Sequence, residues 1–163
     1  MQVHIRDAKE SDIGSINDIY NYYVLNSTCT AQTEPEPKEG REQWLRDHTG
    51  KYMAIVAEWE GQVVGWGSLS KYHRRFAYWP TTEDSIYVRY DMLHRGIGKT
   101  ILAELIRRAR EKGFHSVMGV ISSEQQASIR LHERFGFIEV GHLREVELKF
   151  ERRLDVTFMQ LML

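Results

Sequence analysis

The first third of the chain changes from strand-like to helix-like spacing of its apolar positions. Residues 3–5 alternate enough to predict a short strand. After Asp12, a residue type preferred at helix N-caps, apolar side chains recur three and four residues apart, as one face of a helix requires. These positions are Ile13, Ile16, Ile19, Tyr20, Tyr23 and Val24. The two prolines in residues 33–37 end regular structure, and a second short helix is predicted over residues 41–47.

The rest of the chain shows strand-like and helix-like patterns in turn. Residues 52–59 and 62–69 are strand-like, and the Glu-Gly pair between them indicates a hairpin. A helix over residues 96–112 has one apolar side and stops at Gly113. The other predicted elements are strands over residues 83–90 and 116–121, a helix over 126–135, and strands over 138–146 and 156–163. The strand–helix–strand unit in the middle predicts a right-handed βαβ crossover, so the predicted class is α/β with a mixed sheet.

Length and charge limit the classes of protein that the chain can belong to. Its 163 residues fit one domain, residues 1–163. Lys and Arg number 22, and Asp and Glu number 23. The formal net charge of −1 therefore gives no general attraction to nucleic acid or to an anionic membrane, and neither is an expected partner. Any anion that the protein binds must be held by a local arrangement of donors.

Targeting and cysteine signals favour the cytoplasm. No apolar run approaches the ~20 residues of a membrane-spanning helix. The N-terminal residues lack the basic and then apolar regions of a signal peptide. Cys29 is the single cysteine, which excludes an internal disulfide and suits a reducing compartment. We therefore expect a cytoplasmic protein.

The most informative segment is a glycine-containing loop that joins a strand to an amphipathic helix, within residues 87–100. A helix N-terminus carries unpaired N–H groups and a partial positive charge, so it attracts phosphate. Gly96 and Gly98 let the backbone approach a ligand closely, and Arg95 and Lys99 add positive charge. The segment predicts a site for a phosphate-bearing ligand. The plainer interpretation is a helix start whose glycines serve packing alone.

Two nucleotide-binding patterns overlap this loop. Gly98-Lys99-Thr100 matches the end of a nucleoside-triphosphate loop, but Leu93 stands where that loop has its first glycine. The next strand also ends without a magnesium-binding aspartate. A dinucleotide loop would need glycine in place of Ile101 and an acidic partner after the next strand. Both patterns are incomplete, and binding of a nucleoside triphosphate stays as an alternative function.

A third interpretation rests on segments spread along most of the chain. In chain order they are Ser27-Thr28, Thr33-Glu34-Pro35, Arg75-Phe76-Ala77-Tyr78, Thr81 to Val88, Leu93 to Gly98, Ala127 to Phe137, Lys149-Phe150, Leu154-Asp155-Val156 and Phe158 to Leu161. Together they resemble the GNAT acetyltransferase superfamily, and within it the phosphinothricin acetyltransferase-like branch. The superfamily's loop runs Arg/Gln-x-x-Gly-x-Gly/Ala, and Leu93 replaces its first residue.

The resemblance implies a fold and a cosubstrate. The fold is α/β and GNAT-like, with a mixed, mostly antiparallel central sheet, a splayed parallel strand pair and about four flanking helices. The cosubstrate is acetyl-CoA, with no metal. Its pantetheine arm would pair with a strand backbone, its diphosphate would meet loop amides, and an amide near Ile86 would polarise the thioester carbonyl. The implied cofactor-binding residues are Ile86, Tyr87, Val88, His94, Arg95, Gly96, Ile97, Gly98, Lys99, Thr100 and Gln125.

The resemblance also implies roles in catalysis and in acceptor binding. Glu83 stands at the position of a general base that takes a proton from the amine, and His132 at that of a proton donor to the departing thiolate. Arg75 and Tyr78 would bind the acceptor, since a guanidinium suits bidentate capture of a carboxylate. The structural alternatives are an exposed or capping Glu83, a packed or surface His132, and a solvated Arg75.

The predicted reaction is transfer of acetyl from acetyl-CoA to the amine of a small amino-acid-like acceptor by direct attack. Phosphinothricin, methionine sulfone and methionine sulfoximine are the implied class. Ala31 replaces an aromatic residue of close relatives and Trp79 adds bulk, so the acceptor itself is not fixed. A homodimer is expected by resemblance. A non-catalytic CoA-sensing module on the same fold is the alternative from another functional class.

Overall fold

The computed structural model describes residues 2–163, which form seven strands and four α-helices. The strands are β1 (His4–Asp7), β2 (Met53–Trp59), β3 (Gln62–Lys71), β4 (Thr81–Val88), β5 (Ser116–Ser122), β6 (Ile138–Lys149) and β7 (Arg152–Met162). The helices are α1 (Ile13–Asn26), α2 (Lys38–Asp47), α3 (Ile97–Glu111) and α4 (Gln126–Arg134). The strands lie in one sheet in the order β1-β2-β3-β4-β5-β7-β6. Neighbouring strands are antiparallel except β4 and β5, which are parallel.

Two tight hairpin turns join neighbouring antiparallel strands, β2 to β3 and β6 to β7. Between β2 and β3, Glu60 and Gly61 both have positive φ, 49° and 76°. This is the pattern of a turn whose twist matches that of the strands it joins. Between β6 and β7, Phe150 and Glu151 adopt the same left-handed region without any glycine, with φ of 51° and 59°.

The sheet has helices on both faces. α3 lies directly on β3, where a Cβ added to Gly67 would be 2.5 Å from a methyl carbon of Ile101. The α3 face holds the larger core, to which α4 contributes Ile129 and Leu131. The α1 face holds a smaller core, in which Ile16 and Ile19 of α1 pack with Val56 and Trp66.

Residues of β4 alternate between these two faces, as a pleated strand requires. Ile86 packs in the α3 core, whereas Tyr87 stacks on Trp66 in the α1 core, with ring centroids 4.8 Å apart. By the same alternation Asp84 belongs to the α3 and α4 face, and Glu83 belongs to the α1 face. Neighbouring carboxyl groups of one strand are therefore held on opposite sides of the sheet.

The parallel pairing of β4 with β5 stops after three residues. Thr81, Thr82 and Glu83 pair with Ser116, Val117 and Met118. Beyond Glu83, β4 continues to Val88 with pairing to β3 alone, while β5 continues to Ser122 with pairing to β7 alone. We call the point where the two strands part the fork, and the space between their unpaired lengths the slot.

The predicted fold class is confirmed, including the mostly antiparallel sheet with one parallel pair and four helices. Several local predictions were wrong. Asp12 precedes α1 but its side chain does not cap it, because the carboxylate accepts from Arg6 at 2.7 Å and from the Lys9 amide at 2.9 Å. β4 spans residues 81–88 rather than 83–90, because the chain then enters a 3-10 turn, Tyr90–Met92.

Other element boundaries also differ from the sequence prediction. α2 begins at Lys38, directly after the second proline. β6 and β7 run up to their two-residue turn, ending at Lys149 and starting again at Arg152. Within residues 2–163, no helix is both long enough and apolar enough to span a membrane. The same residues contain no group of three or more His, Cys, Asp or Glu side chains arranged to hold a metal ion.

Candidate active site

The slot exposes backbone groups of β4 that have no strand beside them. The Arg89 amide donates to the Val64 carbonyl at 2.9 Å. This bond determines which residues of β4 direct their backbone groups toward β3. Because such pairs alternate along antiparallel strands, Tyr87 bonds toward β3 while Ile86 and Val88 direct their N–H and C=O groups toward the slot. Of the three residues expected to hold the pantetheine arm, Tyr87 therefore does not offer its backbone.

The Val88 carbonyl already has a partner at the edge of the slot. The Tyr23 hydroxyl of α1 donates to it at 2.6 Å. Burial raises the pKa of Tyr23 to about 12, so this phenol stays protonated and acts as a donor. The spacing of Tyr23 along the chain predicts only a place on the apolar face of α1, because nothing in that spacing distinguishes a tyrosine that reaches across to β4.

The glycine loop presents unused donors at the start of α3. Gly96 is the N-cap, with φ of 80°, and His94 is also left-handed, with φ of 61°. The first intrahelical bond runs from the Thr100 amide to the Gly96 carbonyl at 3.1 Å. The amides of residues 97–99 therefore have no acceptor within the helix.

Positively charged side chains add to the backbone donors of this loop, as an anion site requires. Ile97 is buried and anchors the turn, whereas His94, Arg95 and Lys99 are exposed. Arg95 and Lys99 form no ion pair with any residue between 2 and 163. Thr100 differs from the rest of the predicted set, because its amide and its hydroxyl both donate to the Gly96 carbonyl.

Glu83 lies at the fork, on the α1 face of the sheet. Its carboxylate is half-buried and accepts no hydrogen bond from the described residues. Burial, reinforced by the negative charge of Asp84, raises the pKa of Glu83 to about 7. A carboxylate with that pKa takes up a proton readily near neutral pH, as a general base must.

His132 lies on the other face of the fork and is buried. Its Nε2 is 2.9 Å from Asp84 Oδ2, and its Nδ1 is 2.8 Å from the Ser128 carbonyl. Room for the ring is provided by Gly119 of β5, where an added Cβ would lie 3.1 Å from the imidazole. The second Asp84 oxygen, Oδ1, is buried without a hydrogen-bond partner in residues 2–163. Both nitrogens of His132 are thus engaged.

Gln125 connects the start of α4 to the segment between α1 and α2. Its side-chain amide donates to the Thr28 hydroxyl at 3.0 Å, and this hydroxyl donates in turn to Glu124 at 3.0 Å. Lys149 fastens the same segment from the other side, since its buried ammonium donates to the Thr30 carbonyl at 2.9 Å. Gln125 therefore lies three residues beyond the end of β5, with its side-chain nitrogen already bonded to Thr28.

Arg75 and Tyr78 lie on the connection between β3 and β4, which leads directly to Glu83. Both are exposed. The Tyr78 ring packs against His73, with centroids 4.4 Å apart, and the Arg75 amide donates to His73 Nδ1 at 3.1 Å. The Arg75 guanidinium forms no ion pair with any residue between 2 and 163.

Sequence reasoning missed Asp84, although it stands next to Glu83. Two signals could have found it. Strict alternation along β4 sends neighbouring side chains to opposite faces, and a glycine within a strand, here Gly119, often marks close approach of another group. Neither signal says that the approaching group is the His132 ring, because contacts between residues 48 positions apart depend on the fold.

Comparisons with known proteins bear directly on this site. Residues 16–137 match the model of the acetyltransferase (GNAT) family. This chain belongs to the GNAT acetyltransferase family. A methionine sulfoximine/methionine sulfone acetyltransferase of Pseudomonas aeruginosa is 38% identical over 163 residues, covering 99% of this chain and 95% of the relative. A phosphinothricin N-acetyltransferase of Streptomyces coelicolor is 35% identical and covers 98% of this chain and 95% of its own length.

A solved structure agrees with these relatives. The GNAT-superfamily phosphinothricin acetyltransferase of Sinorhizobium meliloti, in complex with acetyl-CoA, is 36% identical, with a TM-score of 0.97 over 100% of this chain and 89% of that chain. The protein is an acetyl-CoA-dependent N-acetyltransferase. Its residues fit this cosubstrate. The helix amides and two cations that have no partner within residues 2–163 suit a diphosphate, and an open strand edge suits the arm. Both nucleotide-loop interpretations are thereby set aside.

The loop cations give the first prediction. In this acetyltransferase, Arg95→Ala/Lys99→Ala should raise the Kd for acetyl-CoA roughly tenfold, because two exposed charges each contribute about 0.7 kcal/mol. Isothermal titration calorimetry at low and high salt measures the effect, which should shrink as salt rises. Arg110→Ala, which removes an exposed charge at the far end of α3, is the matched control and should leave Kd unchanged. Equal Kd values for the double variant and wild type would exclude Arg95 and Lys99 from binding the diphosphate.

Proposed function

We propose that this acetyltransferase acetylates the primary amine of a small amino-acid-like molecule, of the class that includes methionine sulfone, methionine sulfoximine and phosphinothricin. The observation that carries the proposal is the half-buried Glu83 carboxylate, with its raised pKa, at the fork. The relatives' names supply the acceptor class. The acceptor would approach from the α1 face, where Glu83 lies, while the acetyl donor would lie along β4.

Glu83 meets the main energetic demand of the reaction. An amine with a pKa near 10.4 is neutral in about one molecule per thousand at pH 7.4, which costs roughly 4 kcal/mol. Glu83, directly or through water, takes the proton that makes the nitrogen lone pair available. The nitrogen then attacks the thioester carbonyl, the C–N bond forms, and the C–S bond breaks as the thiolate departs. No acyl-enzyme is required.

The slot supplies polarisation and orientation for this attack. The Ile86 amide points into the slot and donates to the carbonyl oxygen as negative charge builds on it. The amides of residues 94–99 hold the diphosphate, which fixes how far the arm reaches along β4. The departing sulfur receives a proton from His132 on the opposite face of the sheet.

The acceptor's own carboxylate would be held by Arg75. This guanidinium is exposed and unpaired within the described residues, on the connection that leads into Glu83. Tyr78 lies three residues along the same connection and would line the acceptor position. Arg75 thus gives the preference for amino-acid-like amines over simple alkylamines.

We also propose a homodimer and a cytoplasmic location. β6 is a twelve-residue edge strand whose apolar side chains are exposed. They are Ile138, Val140, Leu143, Val146 and Leu148. An exposed apolar edge strand of this length is a surface that proteins ordinarily cover. A second copy of the chain is the occupant that the edge suits. The free thiol of Cys29 fits a reducing compartment.

The role of Glu83 predicts a pH-dependent defect. Glu83→Gln should lower kcat/KM about 100-fold or more at pH 7, and less at pH 9, where more of the amine is already neutral. In wild type, kcat/KM should rise through pH 7 as Glu83 loses its proton, since only the carboxylate accepts one. Thiol release measured from pH 6 to 9.5 checks both. Glu133→Gln, an exposed carboxylate on α4, is the control. A loss of equal size at every pH would exclude Glu83 as the base.

Acceptor recognition gives a separate prediction. Arg75→Ala should raise KM about tenfold for methionine sulfone and leave KM unchanged for the matching amine without its carboxylate, because only the first loses a charge-assisted bond. Steady-state kinetics with both acceptors measures the difference. The neighbouring Arg74→Ala, which is equally exposed, controls for general charge effects. If KM for the two acceptors rose together, carboxylate capture by Arg75 would be ruled out.

The dimer proposal predicts a concentration-dependent mass. Wild type should sediment as a dimer at micromolar concentration, and Leu148→Lys should shift it toward the monomer, since the charge would be buried without a partner. Leu25→Lys changes an equally apolar, exposed position on α1 and should not alter the mass. Sedimentation equilibrium distinguishes these cases, and a wild-type monomer at every concentration would contradict the dimer.

A further inference from the structure

Asp84 and His132 form a buried pair at the point where the slot begins. Glu83 and Met118 are the last residues of β4 and β5 that pair, so Asp84 and Gly119 are the first beyond the fork. The side chain of Asp84 is 2% exposed and that of His132 is 4% exposed. The ring lies against Gly119 while it bonds Asp84. The His132 ring of α4 thus lies at the fork, bonded to Asp84 of β4 and packed against Gly119 of β5.

Hydrogen-bond chemistry shows how many protons this pair holds. The Ser128 carbonyl can only accept, so Nδ1 must carry a proton. If Asp84 is ionised it can also only accept, so Nε2 must carry a proton too. A neutral imidazole has one proton and would set a lone pair against one of these acceptors. The geometry therefore requires an imidazolium beside a carboxylate, or a neutral ring beside a protonated Asp84.

The surroundings favour the imidazolium. Burial by itself lowers the pKa of His132, but the charge and hydrogen bond of Asp84, with the Ser128 carbonyl, raise it above its ordinary value. Within residues 2–163, no charged group other than Asp84 forms a hydrogen bond or ion pair with the ring. β5 presents Gly119, Phe137 meets the ring edge-on at 4.8 Å, and Glu83 points to the opposite face of the sheet.

The position of the pair relates it to the leaving group. The diphosphate site lies beyond the Val88 end of β4, and the strand edge open to the arm runs back to Asp84. A pantetheine arm bound along that edge would end at the fork, where the pairing of β4 with β5 closes the slot. Its sulfur would then meet the face that carries Asp84 and His132, while the attacking amine meets Glu83.

We propose that Asp84 is a positioning residue for acetyl transfer, which holds His132 doubly protonated at the fork as the donor to the leaving thiolate. This inference rests on the proposed function, acetyl transfer from acetyl-CoA to an amine. As the C–S bond breaks, the proton on Nε2 leaves its hydrogen bond with Asp84 and passes to sulfur. The neutral ring keeps Nδ1–H on Ser128, and its Nε2 lone pair faces the Asp84 carboxylate only until a proton from the reacting ammonium restores the imidazolium. The ammonium of the acceptor loses two protons when it becomes an amide. One of them restores the His132 imidazolium, and the other is released to water.

The pair is tested first without turnover. Nitrogen-15 NMR of the resting wild-type protein at pH 7 should show both His132 ring nitrogens protonated. Asp84→Asn keeps a hydrogen-bonding side chain but removes the charge, so the pKa of His132 should fall by about 1 to 3 units. Asp155→Asn is the matched control, because Asp155 forms a second, exposed pair with His142 at 2.8 Å. A wild-type His132 protonated on one nitrogen at pH 7 would overturn the inference, whatever Asp84→Asn does to folding.

Kinetics then tests whether the proton is used. The imidazolium is present below its pKa and lost above it, so kcat of wild type should fall on the alkaline side. Asp84→Asn should move this alkaline limb about 1 to 3 pH units lower and reduce kcat at pH 8 about tenfold or more. Asp155→Asn should leave the profile unchanged. An Asp84→Asn enzyme with kcat lowered equally at all pH values, or not lowered, would contradict the positioning role.

Failure of the proposed acceptor class and failure of the proposed role of Asp84 give different results. If the acceptor class is wrong, wild type does not turn over those amines, yet the NMR result for His132 still stands. If only the role of Asp84 is wrong, wild type turns over and the two alkaline limbs coincide.

Discussion

The early end of pairing between β4 and β5 is the constraint on which the site depends. Three parallel residue pairs hold the strands together, and beyond Glu83 they part. An unpaired strand edge inside a sheet is normally unfavourable, because backbone donors and acceptors lose their partners. Here the cost is tolerated because β3 and β7 hold the two strands from outside, and because the Asp84–His132 hydrogen bond ties β4 to α4 at the fork. The resulting edge accepts an extended ligand as a further strand would be accepted.

The fork also divides the chemistry between the two faces of the sheet. Alternation along β4 sends Glu83 to the α1 face and Asp84 to the α4 face, although the two are consecutive in sequence. In the proposed mechanism, the base and the acid therefore act from opposite sides, on the nitrogen and the sulfur that share one carbonyl carbon, without neutralising each other. Their environments differ accordingly. Glu83 is half-buried and has no hydrogen-bond partner among the described residues, whereas His132 is buried with both nitrogens bonded.

Periodicity and turn chemistry were enough to predict the fold class and most elements. The apolar side of α3 and the hairpin at Glu60 and Gly61 follow from local spacing, and the structure contains both. Local spacing also put the glycine loop at a helix start. The Asp12 cap was wrong because Arg6, six positions earlier on β1, competes for the same carboxylate. End residues such as those of β4 shifted because strand length is set by pairing with β3, which a single strand's pattern does not contain.

The parts of the site that sequence could not give are those made by distant contacts. Tyr23 meets β4 across 65 positions and Gln125 meets Thr28 across 97. The raised pKa of Glu83 depends on how deeply the fork buries it, and the protonation of His132 depends on two acceptors on different elements. The family resemblance identified candidate residues. The structure shows which of their atoms have no hydrogen-bond partner within residues 2–163.

Amide hydrogen exchange in the presence of acetyl-CoA tests the central claim most directly. If the slot and the loop hold the cosubstrate, saturating acetyl-CoA should slow exchange at the amides of Ile86, Val88 and residues 94–99, while the amide of Tyr87, already paired with β3, changes least. Unchanged exchange at Ile86 and Val88, with protection appearing elsewhere on the sheet, would contradict binding of the thioester arm between β4 and β5.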